Sequence, residues 1–181
     1  MAKALVLLAT GFEEIEAVSI IDILRRANID VTSASLGEKN VVGAHGITVL
    51  ADKKLEAIGS TQYDVVVLPG GQPGSNNLRD DARVLKLLRE QHAAGRFVAA
   101  ICAAPIALEA AGLLKGKAAT SYPGYDLPSA KYSTERVVVD GHVVTSRAPS
   151  TAIEFSLAIV EWLENPSVAN KLREAMLVTK H

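Results

Sequence analysis

Cys102 is the single cysteine in a chain of 181 residues. It ends the apolar run Phe97-Val98-Ala99-Ala100-Ile101 and is followed at once by Ala103-Ala104-Pro105. That order predicts a buried strand, a sharp turn and a helix start. Ala100 and Ala104, two residues to either side of Cys102, leave room for the tight bend of a nucleophile elbow. Unpaired N–H groups and the positive dipole end at a helix start favour an anion, so the thiol is expected to shift toward thiolate, a nucleophile or an oxidisable sulfur. The competing reading is an inert buried cysteine, because free cysteine often packs as a small hydrophobe.

Two further groups stand at strand ends. Ala4-Leu5-Val6-Leu7-Leu8 reads as a strand covered on both faces, and a helix follows from about Ile15 to Ala27. On its wheel Glu16 falls between Ile23 and Ile20, about 20° and about 40° from them, so a carboxylate projects among apolar neighbours. Burial there raises a carboxyl pKa. Glu13 and Glu14, at the helix entrance, are read as plain partners of the dipole. Ile15, Val18, Ile20, Ile21, Ile23 and Leu24 cover roughly two-thirds of the helix circumference, which calls for cover on two sides; a second subunit is one candidate. Val65-Val66-Val67-Leu68 is the other strand, running into Pro69-Gly70-Gly71-Gln72-Pro73-Gly74. Backbone without Cβ atoms approaches a ligand closely and its N–H groups can hold an oxyanion. The same string can also be a turn, and neither GxGxxG nor GxxxxGK[ST] occurs in it, so a nucleotide site has no support.

The elements that must hold these groups are read along the chain. Asp30–Ser35 is a second strand, and Val41-Val42 with Ile47-Thr48-Val49-Leu50, separated by Gly43-Ala44-His45-Gly46, is an inserted hairpin. Ala82 to Ala94 is an amphipathic helix stopped by Gly95, with His92 read as a dipole-compensating surface residue. A helix to about Ala111 follows the cysteine, then a looser segment with Tyr122-Pro123-Gly124-Tyr125. Val137-Val138-Val139 and Val143-Val144 about Asp140-Gly141 form a hairpin. A helix from about Thr151 to Leu163 is given a Thr151–Glu154 capping box, and Pro166 opens a last helix to about Leu177. Five or six strand–helix alternations without repeats predict an α/β three-layer sandwich with a mostly parallel sheet, one domain over residues 1–181.

Composition narrows the partners. The 19 lysines and arginines nearly balance 20 aspartates and glutamates, leaving no electrostatic footprint for nucleic acid or an anionic membrane. No apolar run approaches a membrane span. One cysteine cannot form an internal disulfide and no secretory signal pattern opens the chain, so a cytoplasmic setting is expected. A neutral small molecule or a modest protein surface is the expected partner. His45, His142 and His181 lack metal-ligand spacing, His45 is read as a surface residue, and no metal or organic cofactor is expected.

Taken in order, Ala4-Leu5-Val6-Leu7-Leu8-Ala9 with Gly11-Phe12-Glu13-Glu14-Ile15-Glu16, Tyr63-Asp64-Val65-Val66-Val67-Leu68-Pro69-Gly70-Gly71, Ala99-Ala100-Ile101-Cys102-Ala103-Ala104-Pro105 and Val144-Thr145-Ser146-Arg147-Ala148-Pro149 resemble the ThiJ/PfpI superfamily, in particular its parkinsonism-associated deglycase branch. The resemblance implies a flavodoxin-like fold and a homodimer, with the first helix as its expected interface. It also implies Cys102 as an oxidisable nucleophile, Glu16 as its partner, and an oxyanion or substrate site at Gly70, Gly71, Ala103 and Tyr122. Its implied activity is cofactor-independent glyoxalase or protein deglycase chemistry on α-oxoaldehydes such as methylglyoxal and glyoxal, or on their early glycation adducts. The alternative it carries is an oxidative-stress sensor or chaperone whose cysteine becomes a sulfinate. One position departs from the human-type pattern: Tyr122 precedes Pro123 where that pattern has histidine, and a phenol is no base near neutral pH. Peptidase branches need a histidine directly after the cysteine, and Ala103 stands there. Glutamine amidotransferases need a later His-x-Glu, which is absent.

Overall fold

The computed structural model describes residues 1–179. In chain order the first half contains β1 (Lys3–Leu8), α1 (Glu14–Arg26), β2 (Asp30–Ser35), β3 (Asn40–Val42), β4 (Thr48–Leu50), β5 (Lys53–Lys54), β6 (Val65–Leu68), α2 (Gly74–Asp80) and α3 (Ala82–Ala93). The second half contains β7 (Phe97–Ile101), α4 (Pro105–Ala110), β8 (Ala118–Ala119), β9 (Lys131–Tyr132), β10 (Val137–Asp140), β11 (Val143–Ser146), α5 (Ala152–Leu163) and α6 (Pro166–Ala175). Seven strands form the main sheet in the order β10-β11-β7-β6-β1-β2-β5. Every pairing in it is parallel except β10 with β11.

Strand alternation divides the core into two layers. Ala4, Val6, Leu8, Val65, Val67, Ala99 and Ile101 face the layer that includes α1 and α5, while Leu5, Leu7, Val66, Leu68, Val98 and Ala100 face α3 and α4. Both faces being covered explains why these strands read as unbroken apolar runs. The expected α/β three-layer arrangement with its antiparallel β3–β4 hairpin is therefore present. The chain passes from β1 to β2 on one side and later to β6 and β7 on the other. The switch point lies between β1 and β6, where the carboxyl ends of parallel strands leave a crevice.

Several local expectations are corrected. The glycine loop does not run directly to the third helix: α2 intervenes, a seven-residue helix that Gly74, Ser75, Asn76 and Asn77 disguise because none is a strong helix former. Thr151 ends a short 3₁₀ turn, Pro149–Thr151, and does not cap α5. Its hydroxyl instead meets Ser146 Oγ at 2.6 Å and accepts the Ala148 amide at 3.2 Å, while Glu154 pairs with Arg136. His92 is half-buried and desolvation lowers its pKa, so it does not serve as an exposed cation at the end of α3. The wide apolar arc of α1 is covered on only part of its circumference: α5 and the sheet bury Ala17, Ile20, Ile23 and Leu24, but Ile15 is 59% and Val18 51% exposed.

Candidate active site

β7 delivers Cys102 to the switch-point crevice in a left-handed conformation, φ 63°. For a residue with a Cβ this costs about 1–2 kcal/mol, and the surrounding backbone holds it there. The Cys102 amide donates to Ser146 O at 2.9 Å, its carbonyl accepts the Tyr122 amide at 2.8 Å, and Ala104 N closes a turn onto Ile101 O at 3.0 Å. Alanines on both sides keep the elbow free of clashes. The thiol is nearly buried, at 8% exposure.

α1 brings Glu16 to the same place. Glu13 accepts the Glu16 amide at 2.7 Å as the N-cap of the helix, which fixes the first turn. Glu16 is fully buried, and its Oε2 accepts the Gly70 amide at 2.7 Å. Its carboxyl faces the Cys102 thiol closely enough for each to shift the other's titration, and Oε1 has no hydrogen-bond partner among the described residues. Gly70 is required by space: a Cβ there would stand 2.6 Å from Cys102 Cβ and 2.7 Å from Glu16 Oε2. Gly71 is required by conformation, with φ 90°, and a Cβ would also stand 2.6 Å from Gly11 O. The backbone amides of Ala103 and Gly71 act on the Cys102 sulfur to lower its pKa. Glu16, Gly70, Gly71, Cys102 and Ala103, drawn from three strand ends, thus meet in one crevice.

The electrostatics differ from the helix-dipole expectation. Burial, then the charge and hydrogen bond of Glu16, push the Cys102 thiol up to about 12, outweighing the Ala103 and Gly71 amides. Burial likewise raises Glu16 to about 7, against the lowering effects of the Gly70 amide and the Cys102 hydrogen bond. α4 has only six residues and begins at Pro105, so little dipole reaches the sulfur. The two groups titrate as a pair, and from about pH 7 upward the pair keeps one proton and carries one negative charge.

Tyr122 adjoins the site through its backbone. Its ring is 43% exposed and stands edge-on to Tyr125 with centroids 6.3 Å apart. Among the described residues its hydroxyl bonds to neither Cys102 nor Glu16, and no histidine bonds to either.

Glu13 and Glu14 do more than answer the dipole. Glu14 is buried and gathers the hairpin turn: Oε1 accepts the His45 amide at 2.6 Å and the Ile47 amide at 3.4 Å, and Oε2 meets His45 Nδ1 at 2.8 Å. Burial opposes the charge, but these bonds prevail and hold Glu14 below the usual carboxylate range, while Glu14 raises His45. His45 is exposed as expected yet committed to this contact. Glu13, Glu14 and His45 bring ligand-type atoms within 4.8 Å of one another, a grouping that linear spacing does not signal. Their oxygens already serve the Glu16 amide and the hairpin turn. His181 lies outside the described residues.

Residues 2–162 match the DJ-1/PfpI family. Over 181 residues the chain is 42% identical to protein dj-1beta of Drosophila melanogaster, covering 97% of both chains. It is 34% identical over 171 residues to the Caenorhabditis elegans glutathione-independent glyoxalase DJR-1.2, covering 93% of this chain and 91% of that one. The crystal structure of Drosophila melanogaster DJ-1beta superposes with a TM-score of 0.95 at 41% identity, covering 99% of each chain. With the elbow, the buried glutamate and the glycine loop all in place, the chain belongs to the DJ-1/PfpI family.

Proposed function

We propose that this protein is a glutathione-independent glyoxalase, with a deglycase action on early oxoaldehyde adducts, in which Cys102 is the nucleophile and Glu16 the proton carrier. The observation that carries this reading is a fully buried Glu16 carboxyl and a nearly buried Cys102 thiol closed together over Gly70, where a Cβ would stand 2.6 Å from Cys102 Cβ and 2.7 Å from Glu16 Oε2. In the resting pair the proton sits on Cys102, whose pKa is the higher, and the charge on Glu16; transfer of that proton to Glu16 gives the reactive form, in which the Ala103 and Gly71 amides favour the charge on sulfur. The thiolate adds to the aldehyde carbon of methylglyoxal, and the new oxygen, beside the Gly71 and Ala103 amides, takes the Glu16 proton to give a hemithioacetal and leave Glu16 ionised. Glu16 then removes the proton from the former aldehyde carbon and returns it to the former ketone carbon, leaving a thioester. Water hydrolyses the thioester to lactate and restores the thiol, so one methylglyoxal and one water give one lactic acid without a change of net oxidation state. The relative named as a glutathione-independent glyoxalase supports the same reading.

The setting of the reaction completes the proposal. Residues 1–181 act as one domain in the cytoplasm, and the exposed Ile15 and Val18 of α1 form part of a homodimer contact. Among the described residues no helix is long and apolar enough to cross a membrane. Peptidase chemistry lacks support, because Ala103 follows the cysteine and, among the described residues, no histidine bonds to Cys102 or Glu16. The second reading, a redox sensor, draws on the same groups: a sulfinate at Cys102 accepts a hydrogen bond from protonated Glu16. Lactate formation from methylglyoxal, measured without glutathione, separates the two. Steady turnover is the result expected, and no turnover beside rapid sulfinate formation under mild peroxide overturns the enzyme reading in favour of the sensor.

A further inference from the structure

We propose that the cleft beside Cys102 is a carboxylate subsite, with Arg147 selecting oxoaldehydes that bear an anionic group. This deepens the glyoxalase reading and rests on it. The cleft, of about 330 Å³, is lined by Tyr122, Pro123, Thr134, Arg136, Arg147 and Ala148, among others. Two backbone bonds tie its walls to the nucleophile: the Tyr122 amide donates to Cys102 O at 2.8 Å, and the Cys102 amide donates to Ser146 O at 2.9 Å. β11 runs parallel to β7 with Ser146 opposite Ile101, and Arg147 and Cys102 are the next residues after that last paired position. Neighbouring strands lie about 4.8 Å apart, which keeps the two backbones close.

The two arginines of the cleft differ in what they have left to offer. Arg136 is neutralised by Glu154, with Nε and Nη2 on its carboxylate at 2.9 to 3.1 Å and a further bond from Nη2 to Ser150 O. Arg147 has one bond, Nη1 to Thr134 O at 2.9 Å, and no carboxylate within 4.0 Å among the described residues. One carbonyl occupies a single guanidinium donor, leaving Nε and Nη2 with no partner among the described residues. The Thr134 contact restrains the side chain while its charge stays uncompensated. A guanidinium in that state suits bidentate capture of a carboxylate. Methylglyoxal, which is neutral, engages the thiol and the amides and leaves this cation unused. The substrate class that would use it is an oxoaldehyde with a carboxylate two or three carbons beyond its carbonyls.

The test compares 4,5-dioxopentanoate with methylglyoxal in wild type, Arg147→Gln and Arg147→Lys. It also compares alkylation of Cys102 by iodoacetate with alkylation by iodoacetamide, which needs no turnover. The subsite predicts that Arg147→Gln lowers kcat/KM for 4,5-dioxopentanoate about tenfold, the scale of one charge-assisted hydrogen bond, with methylglyoxal turnover unchanged and partial rescue in Arg147→Lys. It also predicts a lower iodoacetate-to-iodoacetamide rate ratio in Arg147→Gln. Equal loss on both oxoaldehydes, or an unchanged substrate preference, overturns the subsite and leaves the glyoxalase reading standing. If wild type turns over neither oxoaldehyde, the glyoxalase reading falls. The alkylation ratio then decides the subsite alone: a fall in Arg147→Gln supports it and no change overturns it.

Discussion

Glu16 and Cys102 titrate as a facing pair: burial raises the carboxyl to about 7, and burial together with the facing Glu16 carboxylate raises the thiol to about 12. Below about pH 7 both groups are protonated; above it Glu16 is ionised and can take the thiol proton as the sulfur attacks. The rate of Cys102 alkylation by iodoacetamide is therefore expected to rise with pH through a step near 7. Glu16→Gln removes the titrating partner and should erase that step, which a pH series followed by mass spectrometry reads directly.

The same burial makes a prediction about stability. Glu16 titrates at about 7 in the folded chain against an ordinary value of 4.5, so the folded state binds the extra proton between those limits. Its contribution is fully present below pH 4.5 and is lost as pH rises through about 7. Glu16→Gln, which cannot ionise, should gain on wild type by about 3 kcal/mol between pH 4.5 and pH 8. Urea unfolding at the two pH values checks this, and the difference between proteins cancels the other carboxylates.

Gly70 is the contact through which the strand ends close. A methyl group there would meet Cys102 Cβ at 2.6 Å and Glu16 Oε2 at 2.7 Å, both within the pair itself. Gly70→Ala is expected to cost about 1–3 kcal/mol of stability and to separate thiol from carboxyl. Thermal unfolding should show the first effect, and loss of the alkylation step near pH 7 the second.

Glu14 is expected to hold the hairpin more strongly than His45 does. Three donors converge on the Glu14 carboxylate, whereas the His45 side chain is 70% exposed. Glu14→Ala leaves the His45 and Ile47 amides without their acceptor, so hydrogen exchange over residues 43–47 should accelerate, at a stability cost of about 1–3 kcal/mol. His45→Ala should leave most of that protection intact.

The exposed α1 face leads to a prediction about assembly. Ile15 and Val18 stand 59% and 51% exposed on a helix whose other apolar residues are buried or, at Ile21, half-buried. A charge at Val18, as in Val18→Asp, should shift the proposed homodimer toward monomer in sedimentation equilibrium. An unchanged mass would overturn the proposed α1 contact.

How far the sequence carried depends on the range of each interaction. β1, β6 and β7 announce themselves because burial on both faces leaves only apolar residues, and Glu16 on the apolar arc of α1 already implied a raised carboxyl. The elbow at Cys102 was legible from its small neighbours. What escaped were contacts between distant segments: Glu14 reaching His45, Arg136 taking the Glu154 that local spacing had assigned to a cap, and Thr151 turning back to Ser146. The sign of the effect on the thiol was also hidden, because desolvation and a facing carboxylate depend on packing that no linear pattern records. Tyr122 could be placed near the nucleophile by resemblance, but the orientation of its ring away toward Tyr125 could not.

The central claim is that Cys102 attacks and Glu16 moves the proton. The most direct measurement is the initial rate of lactate formation from methylglyoxal, without glutathione, by wild type, Cys102→Ser and Glu16→Gln at pH 8. Steady lactate production by wild type, with at least a hundredfold loss in each variant (about the contribution of one positioned acid–base group), is the result predicted. Turnover by Cys102→Ser at the wild-type rate would contradict it.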